Sequence, residues 1–227
     1  MCGRFGIATD IEELQDFFVF DPTSVEYVRR WNVAPTDPVL TYGARGPETA
    51  EYMRWGLIPY WSKPGSRNPP LAINARAETL ATNGMFKGPF ERRRCLVIAD
   101  GFYEWRKNDD GSKTPFRIGM ASWEPFGFAG VYDEWQGPDG PVRSCTIVTT
   151  TPNALTESIH DRMPVILPRP AYDEWLNHDS RDTNSLSRLL VPYAAEEMAA
   201  YEISSAIGAV KNDSSDLLLP VSQGKLL

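Results

Sequence analysis

The chain has 227 residues, 42% hydrophobic and 23% charged, the composition of an ordinary globular protein with enough length for one sizeable core. No apolar run approaches the ~18 residues that span a bilayer, and no basic segment followed by an apolar stretch opens the sequence, so a membrane span and a secretory leader are not expected and the predicted location is cytoplasmic. Cys2, Cys95 and Cys145 lie far apart and His160 and His178 are the sole histidines, a pattern that predicts neither a disulfide framework nor a metal, and no cofactor.

The net charge of −7 does not favour nucleic acid, but its distribution is uneven. Residues 54–107 carry ten Lys/Arg against four Asp/Glu. Such a segment forms either a local groove for phosphates or a set of solvated cations.

In chain order, Thr9-Asp10-Ile11-Glu12 reads as a capping box opening a helix over 10–18. Residues 39–42 and 50–55 read as strands joined by a Gly/Pro turn, and 56–73, with four prolines, as a loop. A short helix is predicted near 77–83. Residues 95–99 form a buried-strand pattern, 102–106 continue extended, and Asn108-Asp109-Asp110-Gly111 turns the chain into a returning strand over 115–119. Strands follow at 126–132, 145–150 and 165–167, helices at 172–177 and 185–190, and a last strand at 201–205. Strands in hairpin-like succession with inserted short helices predict an α+β fold, a mainly antiparallel pseudo-barrel. One domain over 1–227 is expected, less well specified from about 212.

Several residues can carry chemistry. Initiator methionine is removed when the next residue is small, which would leave Cys2 as a terminal 1,2-aminothiol. Its α-amine, with a pKa near 7.8 against about 10.4 for lysine, is partly free at neutral pH and can attack an aldehyde. The tethered thiol can then close a five-membered ring. Alone, Cys2 reads first as an accidental second residue in a frayed end; Gly3, Arg4 and Phe5 weaken that reading by offering close approach, a phosphate fork and a core anchor. Asn74 either caps the helix after it or binds a sugar oxygen, and Arg76 can hold a phosphate. On an extended strand Phe102, Glu104 and Arg106 share one face, with Tyr103 and Trp105 on the other. Glu104 is then either paired with Arg106 or Arg76, or desolvated into a proton donor and acceptor. His160 is a satisfied structural histidine or a proton shuttle, and Arg162 suits a phosphate. The loop from Trp55 to Trp61 is aromatic enough to stack bases, although most tryptophans fill cores.

Taken in order, Met1-Cys2-Gly3-Arg4-Phe5, Asn32-Val33-Ala34-Pro35, Trp55-Gly56-Leu57-Ile58-Pro59, Asn74-Ala75-Arg76-Ala77-Glu78-Thr79, the run from Cys95 to Trp105, Thr149-Thr150, Ile159-His160-Asp161-Arg162-Met163-Pro164 and Val210-Lys211-Asn212 resemble the SOS-response-associated peptidase (SRAP) family of abasic-site crosslinking proteins. The resemblance spans nearly the whole chain. It implies a single pseudo-barrel domain with a positively charged groove for single-stranded DNA containing abasic sites; a monomer is expected. Cys2, freed of Met1, would form a thiazolidine with the opened sugar. Asn74 would position that sugar, Glu104 would move protons and reverse the crosslink, and His160 would assist imine formation and strand scission. Arg4, Arg76 and Arg162 would hold phosphates, while Gly3, Pro35 and Trp61 would shape the strand. Gly84 stands where the family has an arginine, leaving Lys87 or Arg92 to replace that contact. Two other functions remain open: a thiol autopeptidase using Cys2 and His160, and a non-catalytic single-strand binding module.

Overall fold

The computed structural model describes residues 2–221. Thirteen strands follow in chain order: β1 (Phe5–Ile7), β2 (Arg30–Val33), β3 (Pro38–Tyr42), β4 (Ala50–Trp55), β5 (Asn74–Arg76), β6 (Arg94–Ala99), β7 (Gly101–Lys107), β8 (Lys113–Met120), β9 (Phe126–Gly137), β10 (Gly140–Thr150), β11 (Met163–Pro164), β12 (Ile166–Leu167) and β13 (Met198–Glu202). The helices are short: α1 (Ile11–Phe18), α2 (Lys87–Arg92), α3 (Tyr172–Leu176) and α4 (Thr183–Arg188).

Five strands close a ring. β10 pairs β4 in parallel, and β4–β3, β3–β6, β6–β9 and β9–β10 are antiparallel. β5 adds to β10 in parallel just beyond β4, because the chain leaves the sheet after Trp55, loops out over 56–73, and returns at Asn74. A second, antiparallel sheet runs β13-β8-β7-β1-β2. The fold is therefore the expected α+β pseudo-barrel, with two parallel pairings that hairpin succession did not predict.

Aromatic packing joins the sheets. Phe5 lies 5.1 Å from the Trp55 ring and 5.8 Å from Phe128, and Phe102 lies 6.1 Å from Phe128. Burying such a ring contributes roughly 1.5–3 kcal/mol, so Phe5 ties the start of the chain to the barrel. β6 is buried at every residue, as its unbroken apolar run requires. The predicted alternation in β7 holds: Phe102 faces the main core, Tyr103 and Trp105 a smaller cluster with Ile203, Ile207 and Leu217.

Four expectations are corrected. The capping box does not form: Asp10 is the N-cap of α1 without a side-chain bond, and Thr9 is turned to Asp100. Asn74 caps no helix; it opens β5, and the helix expected over 77–83 is a single 3₁₀ turn, Ala77–Thr79. α2 was hidden by Gly88 and Pro89, with Pro89 in the first turn, where proline is tolerated. Finally, the basic segment is not one solvated face. Arg94 is buried and donates to the carbonyls of Phe90, Glu91, Trp175, Asn177 and Ser180, a structural use of its charge.

Candidate active site

Residues 2–9 are laid along β7. Asp100 accepts from the amides of Ala8 and Thr9 and from the Thr9 hydroxyl, at 2.5, 2.9 and 3.0 Å, and is paired with Arg117. Its own amide donates to Gly6 O at 3.0 Å, and Tyr103 N donates to Arg4 O at 2.9 Å. Gly6 is required for this approach, since a Cβ there would meet the Tyr103 hydroxyl at 2.7 Å. The ladder runs Cys2 toward the Glu104 end of β7, where its side chain is 0% exposed.

β5 supplies the next group. Its register, Asn74 opposite Ile147 and Arg76 opposite Thr149, aims the Asn74 amide at the terminus, and Asn74 Nδ2 donates to Cys2 O at 2.8 Å. Asn74 Oδ1 is buried and accepts no hydrogen bond among the described residues. His160 comes from the turn before β11. Asn153 folds that turn by accepting from the amides of Leu155 and Thr156, and buried Ile159 anchors it. His160 Nε2 sits 3.9 Å from Glu104 Oε2. Its Nδ1 is 2.9 Å from Asp161 Oδ1 and accepts from Arg162 N at 3.1 Å.

Thus Cys2, Asn74, Glu104 and His160, from four separate segments, converge. Of the two roles open for Glu104, pairing with Arg106 is not seen: Arg106 lies over the Phe116 ring, and Arg76 is exposed. Burial pushes the Glu104 carboxyl up to about 7. Burial, then the nearby Glu104 charge, pushes the Cys2 thiol well above its ordinary range. Burial lowers His160. Glu104 and His160 are thus the two partly dry groups here able to exchange a proton near neutrality.

The expected phosphate contacts divide. Arg76 is exposed, Gly3 and Pro35 are half-buried, and Trp61 is 53% exposed beside exposed Tyr60. Trp55 is core, its indole donating to Ile73 O. Arg162 is held by a two-pronged pair with Glu78 (2.6 and 2.9 Å) and by Thr149 O at 2.7 Å. Arg4 donates to Asn32 Oδ1, Ile207 O and Gly208 O. Gly84 lies on open surface with nothing within 4 Å of an added Cβ.

Sequence reading missed the supports. Asn32, fully buried, donates to the carbonyls of Ile207, Ala209 and Asn212, while Asp213 accepts from Trp31 N and Asn32 N. A buried asparagine before Val-Ala-Pro was the available signal. Glu78 and Asp161 lay inside quoted motifs without a role.

A family model described as SOS response associated peptidase matches residues 1–210. The chain belongs to the SRAP family. Among curated SRAP relatives, abasic site processing protein YoqW of Bacillus subtilis is 43% identical over 222 residues, 96% of this chain and 99% of that one. Abasic site processing protein YedK of Escherichia coli is 32% identical over 234 residues, 97% and 100% of the two chains. A crystal structure of a protein from Bacteroides thetaiotaomicron superposes with a TM-score of 0.83 at 23% identity over 97% of this chain and 100% of that one, a likeness of fold.

Proposed function

We propose that the chain processes abasic sites in single-stranded DNA by linking Cys2 covalently to the opened sugar. The observation that carries this reading is the placement of Cys2: buried, bonded through its carbonyl to Asn74, beside a carboxyl raised to about 7. The relatives' shared name, abasic site processing protein, supports the same substrate.

Loss of Met1, which lies outside the described residues, frees the Cys2 amine. The amine adds to the aldehyde carbon, and protonated Glu104 gives its proton to the departing hydroxyl, so water leaves and an imine forms. The thiol then adds to the imine carbon and its proton passes to the ring nitrogen, closing the thiazolidine. The step has a high effective molarity because both groups sit on adjacent carbons. Asn74 Oδ1, buried without a partner among the described residues, suits a hydroxyl of the opened sugar. Reversal runs the same protons backwards through Glu104. The imine also acidifies the adjacent sugar carbon, so strand scission is a side path with His160 as proton acceptor. Exposed Arg76 and Trp61 are suited to backbone and base contacts.

Burial of the Cys2 thiol disfavours a thiolate as first nucleophile, which the thiol-peptidase reading needs, and so favours the route led by the amine. The test is a denaturing gel of Met-free protein with single-stranded DNA bearing one abasic site. A covalent band that requires the aldehyde and is absent in Cys2→Ala is expected. Salt-sensitive binding alone, unchanged in Cys2→Ala, would instead make the chain a binding module.

A further inference from the structure

A buried carboxyl that gives and takes protons needs a route to water. Glu104 is 5% exposed, His160 28% and Asp161 87%, and the three are in series: 3.9 Å from Glu104 Oε2 to His160 Nε2, and 2.9 Å from His160 Nδ1 to Asp161 Oδ1. The first gap closes with a small ring rotation or one bridging water. The geometry points to Asp161 as the outer member of a proton relay, Asp161–His160–Glu104, that exchanges the Glu104 proton with solvent.

The arrangement at Nδ1 gives the relay two states. Arg162 N donates to Nδ1, which requires a lone pair there, so the resting neutral ring carries its proton on Nε2, facing Glu104. A carboxylate 2.9 Å from the same nitrogen requires a proton there. Nδ1 therefore has a donor and an acceptor in competition, and protonation decides between them. A proton arriving through Asp161 binds Nδ1, the imidazolium passes its Nε2 proton to Glu104, and the ring is left neutral with Nδ1–H held by Asp161. Each transfer moves one proton between solvent and Glu104 and exchanges the ring tautomer, and transfer in the opposite direction returns that proton and restores the first state. The chain's amino terminus and Lys113 from β8 oppose, and Asp161 favours, the charged ring, while Arg162 meets it through its backbone N–H. Arg162 is locked by Glu78 and Thr149 O, which holds its peptide N–H against Nδ1.

This inference rests on the proposed Cys2 chemistry for its purpose but not for its detection. The test uses full-length, Met-free Asp161→Asn and Asp161→Glu. With abasic single-stranded DNA, Asp161→Asn is expected to bind with unchanged affinity but to form and reverse the adduct about tenfold more slowly. Added imidazole buffer should restore the rate, and Asp161→Glu should retain it. In the protein without DNA, nitrogen-15 NMR should place the resting proton of wild-type His160 on Nε2 and show His160 titrating at lower pH in Asp161→Asn. An unaltered adduct rate, or a slow rate that no buffer restores, together with an unaltered His160 titration, would overturn the relay. Absence of any wild-type adduct would overturn the DNA chemistry alone, and the NMR titration would then decide the relay.

Discussion

At the scale of single residues, the site depends on what burial does to ionisable groups. An ordinary glutamate titrates near 4.3, whereas Glu104 is raised to about 7 by burial. Folding thus favours its protonated form. That stability is complete below about pH 4 and is lost as pH rises through 7, to the extent of roughly 3–4 kcal/mol. Glu104→Gln removes the dependence: urea unfolding should find the variant close to wild type at pH 4 and more stable than it at pH 8, while adduct reversal falls at least tenfold. Asn74→Ala should slow adduct formation by ten- to a hundredfold with little loss of DNA affinity, measured by gel time course and by anisotropy. The Cys-Gly-Arg-Phe start and the His-Asp-Arg turn stood out as candidates only in order with the other motifs, since each residue alone also fits a structural role. The role of Asn74 could not be read locally, since an asparagine before a turn reads as a cap until a parallel neighbour, β10, draws it into a sheet.

At the scale of elements, the reactive end is held by ladder bonds and one carboxylate. Asp100 gathers Ala8, Thr9 and Arg117, and its loss leaves two amides and a guanidinium poorly paired. Asp100→Ala should cost about 2–4 kcal/mol, read by denaturant unfolding. The Phe5 and Gly6 amides should then exchange with deuterium faster than those of β6. β3, β4, β6, β7 and β8 were legible from alternation or an unbroken apolar run, and the turn at Gly111 from its residues; its φ of 83° is the left-handed conformation that glycine takes freely. β1, β2 and β5 were not, because three or four residues are too few to show a period. They exist through long-range partners: β1 through β7 and β2, and β5 through β10.

At the scale of the molecule, a chain of net charge −7 proposed to bind a polyanion depends on where its cations lie. Counting Lys/Arg along the sequence overstated that surface, because Arg94 serves the core; Arg94→Ala should cost about 3–5 kcal/mol by leaving buried carbonyls without donors. Conversely, Gly84→Arg meets no steric obstacle and should tighten single-strand binding while steepening its salt dependence by about one unit of slope. Ring closure of the barrel was foreseeable in class but not in path, since the parallel meeting of β4 and β5 with β10 needs a loop-out over 56–73 that sequence reads only as a loop. That path brings Asn74 to Cys2 and Glu104, which the β1–β7 ladder sets together, and to His160 from the turn before β11. The claim that amine and thiol of one residue act together is tested by intact mass of Met-free wild type and Cys2→Ala after reaction with abasic single-stranded DNA, with and without borohydride. The account predicts a stable unreduced adduct in wild type and, in Cys2→Ala, an adduct trapped by reduction alone. An unreduced adduct of equal yield in Cys2→Ala, or none in wild type, would contradict it.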